Sequence, residues 1–306
     1  MYLRDCSTSG TVMAPQGKKE TLKQEMRDAS MMAITGRRDL ALKYLKELEV
    51  DKYDQMRPTL DAFIAIVEQI NPDVNLPVRG KREQEEDGIS MAYMEKGAPL
   101  CVYVSGTGSM ASEKLVEAYS YGRGYSIAFA SNESRKLYRQ PNLTALEAAG
   151  ERMIDSIRTV IKENEPSDVT VVGGSRYGLF AGAVAAELNA DKLLLASPMT
   201  YLASDDLIPA YSTLGRELVG RMRKMLPERW QDLKVVLKDW ATTSHLHVLY
   251  SVHKAIDVGH STRLESLPNT TMHPNDTWRE HDTMPLLMST GLLPQVVLEK
   301  VPAQAS

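Results

Sequence analysis

The hydrophobic rhythm of the chain changes once, near residue 88. Before that point apolar positions recur at helical spacing. Ala41, Leu45 and Leu48 share one face, and Leu60, Phe63, Ile64 and Val67 follow the i, i+3, i+4, i+7 rule. After it, short apolar runs alternate with longer amphipathic stretches. The runs are Ile89 to Met94, Leu100 to Ser105, Tyr125 to Ala130, Val169 to Val172, Lys192 to Ala196, Leu246 to Ser251 and Asn269 to His273. Their length and β-branched content suit strands, several of them buried on both faces. Between them, Thr144-Ala145-Leu146-Glu147 has the form of a capping box, and Leu146, Met153, Ile154, Ile157 and Val160 continue as a helical stripe. Leu214, Leu218, Met222 and Met225 repeat the helical pattern within 203–244, and Pro285 to Leu298 closes the chain as a helix or two. Strand and helix in alternation predict an α/β fold, a mostly parallel sheet with helices on both faces.

Asn71 to Gly88 is rich in proline, glycine and charge, which marks a boundary. The expected organisation is an N-terminal helical module and linker over 1–88 and an α/β domain over 89–306. Residues 1 to about 17 read as a loose polar terminus. Gly36 between two helical patterns gives the module the look of one helical-repeat hairpin, but stacked repeats need about three copies to stand alone. The module is therefore expected to rest on the main domain, as packing or as a surface for a protein partner. The boundary implies that a chain beginning near Ile89 folds without it.

The stretch from Asp168 to Thr200 carries the chemistry. Val169, Val171 and Val172 run into Gly173-Gly174-Ser175, a small-residue helix pattern starts at once, and a second strand ends in Ser197-Pro198. A hydroxyl on a tight strand-to-helix corner projects above the sheet, and the next amide points where negative charge is favoured. Acyl transfer needs that pairing of exposed nucleophile and oxyanion donor. The usual form is G-x-S-x-G; here Tyr177 stands in the place of the second glycine and Gly178 comes one residue late. Phosphate-binding glycine loops compete, but neither G-x-x-x-x-G-K-[ST] nor G-x-G-x-x-G fits. A plain glycine turn is the remaining alternative.

A serine nucleophile needs a base and an orienting acid. All six histidines fall in the last quarter of the chain. With the acid after a late strand and the base after the last one, Asp257 and His281 fit the order Ser…Asp…His. His260 and His273 are rival bases, and Asp239 and Asp276 rival acids. His245, His247 and His253 read as surface or packing residues. His245-x-His247 would point two rings to one side of a strand, but no acidic partner stands at ligand spacing, so no metal and no cofactor are expected. The Arg176 amide and a turn amide at Thr107 or Gly108 would hold an oxyanion. Tyr177, beside Arg176, is the expected aromatic contact for a substrate.

Bulk properties narrow the classes. The chain has 306 residues, 43% of them hydrophobic and 25% charged, with a formal net charge of −4, which makes no electrostatic case for nucleic acid or an anionic membrane. Cys6 and Cys101 are too few for a disulfide framework, and Cys101 lies in an apolar run where an inert thiol is expected. The first residues lack the apolar core of a signal peptide and no run reaches about 18 apolar residues. A cytoplasmic location without a membrane span is the expectation.

From Leu100 to Val297 the chain resembles the α/β-hydrolase superfamily, most of all bacterial α/β hydrolases with a GSSMGG-like elbow. The elbow here is Gly173-Gly174-Ser175-Arg176-Tyr177-Gly178. AELNADKLLLASPMTYL is similar to their "GAD…SPQT" stretch, and DVGHSTRL…REHDTMPLLMSTGLLPQVV to their ending. The resemblance implies Asp257 and His281 as acid and base, places Asn132 and Tyr138 in a post-strand loop by the substrate, and makes 203–244 a cap. It implies a serine hydrolase on an acyl ester, with saccharide-linked esters among its substrates. A saccharide O-acyltransferase with the same triad, or a non-catalytic binding protein, would use the same residues.

Overall fold

In the computed structural model, residues 16–48, 56–74, 90–92, 96–104, 112–130, 143–202 and 213–300 are described. The strands are β1 (Ser90–Ala92), β2 (Leu100–Val104), β3 (Ser126–Phe129), β4 (Val169–Gly174), β5 (Lys192–Ala196), β6 (His245–Ser251) and β7 (Thr270–Asn275). They form one seven-stranded sheet in the order β1-β3-β2-β4-β5-β6-β7, and only β1 runs antiparallel to its neighbour. Each parallel pair needs a crossover to return the chain, which places the helices on the faces of the sheet.

The helices are α1 (Gln16–Ile34), α2 (Arg38–Glu47), α3 (Arg57–Gln69), α4 (Glu113–Ser120), α5 (Leu143–Asn164), α6 (Tyr177–Leu188), α7 (Thr213–Met225), α8 (Leu233–Val236), α9 (Ala255–Thr262), α10 (Met284–Ser289) and α11 (Leu292–Leu298). Alternation along the central strands divides the core in two. Cys101, Tyr103, Val172, Leu194 and Leu249 face a cluster built with α1–α4, α10 and α11. Leu100, Val102, Val171, Leu193, Leu195 and Val248 face the other, built with α5–α8. The sheet is covered on both sides.

Several local expectations shift. α5 begins at Leu143, so Thr144 lies inside its first turn instead of capping it. Helix α7 presents Val219 and Met222 to the core, followed by Leu226, Trp230, Leu233 and Trp240, and Trp230 meets Phe180 edge-on at 6.3 Å. The described part of the segment expected as a cap thus packs into the α5–α6 layer. Helices α1–α3 share one core with β2, β3, α4 and α10. Gln69 of α3 donates to Ser289 O, accepts from Tyr119 Oη, and offers its carbonyl to Arg123. Cys101 is fully buried, and desolvation pushes its thiol up to about 12, an inert group. No helix among the described residues is long and apolar enough to cross a membrane.

Candidate active site

Glycine packing shapes the corner after β4. A Cβ at Gly173 would stand 2.3 Å from the Ala181 Cβ, and one at Gly178 would stand 2.8 Å from the Pro198 Cβ. Both approaches close the turn so tightly that Ser175 must take φ 50, the left-handed region that a side chain rarely adopts. Two bonds to its carbonyl hold it there, from the amides of Gly178 (3.0 Å) and Met199 (2.8 Å), while its own amide donates to Ala196 O (3.0 Å). Its hydroxyl is thereby lifted off the sheet at the N-terminus of α6.

His281 meets it from the loop after β7. The Ser175 Oγ and His281 Nε2 are 2.7 Å apart, and His281 Nδ1 lies 2.6 Å from Asp257 Oδ1. Asp257, on α9 just past β6, is 1% exposed. Its second oxygen accepts from Ser197 Oγ at 2.9 Å, and Ser197 Oγ in turn accepts from Thr283 Oγ1 at 3.1 Å. A buried carboxylate is tolerated when its lone pairs are filled, and both oxygens here have partners. The three residues come from the carboxyl ends of different strands, the end at which parallel sheets gather ligands.

Burial of His281 works against its charged form. The hydrogen bond and charge of Asp257, with Asp282 adding to them, outweigh that and the opposing Lys254, and hold the imidazole above the ordinary histidine value. Its side chain remains 49% exposed, open to a substrate.

The rivals settle elsewhere. His260 is buried, with Nδ1 3.1 Å from the Thr200 amide, and desolvation first, then Arg263 and His281, lower its pKa to about 4. It is a neutral packing residue behind Asp257. His273 pairs with His247, and His253 bonds the Asp276 carbonyl. Asp239 and Asp276 are exposed. Tyr177 is 7% exposed, its ring within the α5–α8 core, with the Arg176 guanidinium carbon 5.1 Å from its centroid. Arg176, at the start of α6, has its amide directly after Ser175. Thr107, Gly108, Asn132 and Tyr138 lie outside the described residues.

Sequence reasoning passed over Ser197 and Thr283. Ser197 stands after β5, beside β4, and takes φ 42 in the fold, but a serine at a strand end is in itself no signal. Thr283, two residues past His281, gave none.

No protein-family model matches the chain, and no curated protein does. Solved structures do match. A carboxyl esterase from the mycorrhizal fungus Tuber melanosporum superposes with a TM-score of 0.50 at 10% identity, over 72% of this chain and 90% of that one. Esterase B from Lactobacillus rhamnosis aligns over 71% of this chain and 82% of its own at 12% identity, with a TM-score of 0.49. An acylaminoacyl peptidase from Pyrococcus horikoshii aligns over 69% of this chain and 39% of its own at 14% identity, with a TM-score of 0.48. At such identities the likeness is one of fold.

Proposed function

Given that the chain has the α/β-hydrolase fold, we propose that it is a serine hydrolase acting on an acyl ester, with Ser175, His281 and Asp257 as its triad. The observation that carries the reading is the continuous relay, Ser175 Oγ to His281 Nε2 at 2.7 Å and His281 Nδ1 to Asp257 Oδ1 at 2.6 Å. Asp257 fixes the tautomer with the proton on Nδ1, so Nε2 presents a lone pair to the serine hydroxyl. As Oγ attacks the ester carbonyl its proton passes to Nε2, and the imidazolium formed is stabilised by Asp257. The oxyanion receives the Arg176 amide, backed by the positive end of α6. Nε2 then gives its proton to the departing alcohol, and water repeats the sequence on the acyl-enzyme.

Ser197 and Thr283 act on the acid. The Ser197 hydroxyl fills its far oxygen, the Thr283 hydroxyl holds Ser197 in turn, and together they fix the carboxylate plane toward His281. The exposed imidazole of His281 leaves the Ser175 hydroxyl approachable, and the substrate proposed is an ester with a polar or saccharide-bearing alcohol.

A panel of p-nitrophenyl esters tests the reading. Turnover should follow simple saturation and fall by about 10³-fold or more in Ser175→Ala. Equal turnover in the wild type and Ser175→Ala would overturn it.

A further inference from the structure

The opposite end of the sheet carries a second group of side chains. His245 and His247 are the first and third residues of β6, so strand alternation sends both rings to one face, with centroids 4.8 Å apart. The chain returns to them just after α11. Glu299 brings Oε1 to 3.8 Å from His245 Nδ1 and Oε2 to 3.1 Å from His247 Nε2. The three ligand-capable atoms lie within 4.8 Å of one another. This is the acidic partner that local spacing does not reveal.

His247 is the residue that needs an explanation. It is 5% exposed, and its buried Nε2 makes no hydrogen bond among the described residues despite the nearby carboxylate. Its other nitrogen is taken: Nδ1 lies 3.2 Å from His273 Nε2, with the two rings stacked. When Nδ1–H donates to His273, Nε2 turns a lone pair toward Glu299, and two acceptors face each other. A cation bound between them would use that lone pair and the carboxylate 3.1 Å away together. The nearby lysine does not serve, because Lys192 Nζ is committed to Asp168 (2.7 Å) and to the carbonyls of Val297 (3.0 Å) and Glu299 (2.6 Å).

We propose that His245, His247 and Glu299 bind one divalent transition-metal ion of the zinc type, with His273 orienting the His247 ring. Two imidazoles and one carboxylate are a borderline donor set, suited to zinc and unsuited to magnesium or calcium, which take oxygen ligands. The hydrogen bond from a ligating histidine to an outer partner is the arrangement that fixes tautomer and aim at such sites. Zinc–nitrogen bonds of about 2.0–2.1 Å require the outer ligands to draw in by roughly 1 Å. His245 and Glu299 can do so, since their side chains are 29% and 38% exposed, and the same open edge admits the ion and a water as fourth ligand. The site clasps the segment after α11 to β6. It lies at the amino ends of the strands, whereas Ser175 and its partners follow the carboxyl ends, so its role is structural.

Chelator-treated protein titrated with zinc chloride, followed by calorimetry and by thermal melting, tests the assignment. One ion per chain, a dissociation constant below about 10 µM and a higher Tm with zinc are expected. Glu299→Gln and His245→Ala, both at partly exposed positions that leave the core intact, should each weaken binding by about 100-fold or more. His273→Ala should weaken it by about 10–100-fold. Cobalt(II) in place of zinc should give the visible spectrum of a low-symmetry nitrogen/oxygen site, absent in Glu299→Gln. No saturable binding, or zinc affinity unchanged in both Glu299→Gln and His245→Ala, would overturn the proposal. Binding lost instead in His281→Ala would place the ion at the Ser175 site and overturn it equally.

Discussion

The buried hydroxyl pair behind Asp257 makes the acid a more constrained residue than its place after β6 suggests. Ser197→Ala leaves Asp257 Oδ2 without its 2.9 Å donor, and a charged acceptor so stranded costs about 1–3 kcal/mol or more. The expected outcome is a lower Tm and a kcat reduced by roughly 10-fold, since the nucleophile and base remain; stopped-assay kinetics beside thermal melts check both. His281 supplies the pH dependence. As the proposed base it must be neutral to accept the serine proton, and Asp257 raises its pKa above the ordinary value, so the acid limb of kcat/KM should have its midpoint above about 6.5. In Asp257→Asn the midpoint should move down as the rate falls. The stability effect of this ion pair has the opposite sense, present below about 6.5 and lost as pH rises through the raised value. A profile unmoved by Asp257→Asn would separate the two residues. That Ser175, Asp257 and His281 come within hydrogen-bond reach of one another was expected from the strands they follow. Ser197 and Thr283 were not, since a serine or threonine beside a strand end is common and only the fold shows which one reaches the acid.

At the scale of the element, the elbow explains how Tyr177 replaces the expected glycine. The close approaches fall on Gly173 and Gly178 instead, against Ala181 and Pro198. The tyrosine ring turns into the α5–α8 core. Gly173→Ala should therefore destabilise strongly, because its Cβ would meet another Cβ at 2.3 Å. Tyr177→Ala should cost about 3–5 kcal/mol by leaving a cavity, whereas Tyr177→Phe keeps the ring and should leave kcat unchanged; denaturant melts and kinetics on the three variants check this. Motif spacing did not show the substitution as tolerable, because the glycine rule depends on which neighbour comes close, and that neighbour belongs to the segment after β5. Strands were easier to read: Lys192 to Ala196 matches β5, whereas the helix expected to start after Thr144 starts two residues earlier, at Leu143.

For the whole molecule, the change of rhythm near residue 88 is real as a pattern, but the first three helices share one core with α4 and α10 on one side of the sheet. Gln69 also joins α3 to α4 and to α10, the helix that follows the His281 loop. A chain beginning at Ile89 would expose Tyr103, Phe129, Leu286 and their neighbours, and is predicted to be insoluble or expanded by size-exclusion chromatography. Composition shifts mark where a pattern changes and cannot show which surfaces the two parts share. Acid sensitivity is a second property at this scale. His260 is buried neutral with its pKa near 4, so its contribution is present above about 6.5 and lost as pH falls toward 4, at up to about 1.4 kcal/mol per pH unit. Urea midpoints between pH 7 and pH 4.5 should fall accordingly, and less in His260→Gln. The central claim, a hydrolase whose nucleophile is Ser175, is tested most directly by a fluorophosphonate and peptide mapping by mass spectrometry. The account predicts one adduct per chain, on Ser175, formed at least about 10²-fold more slowly in His281→Ala. An adduct on any other serine of the native protein, or none at all, would contradict it.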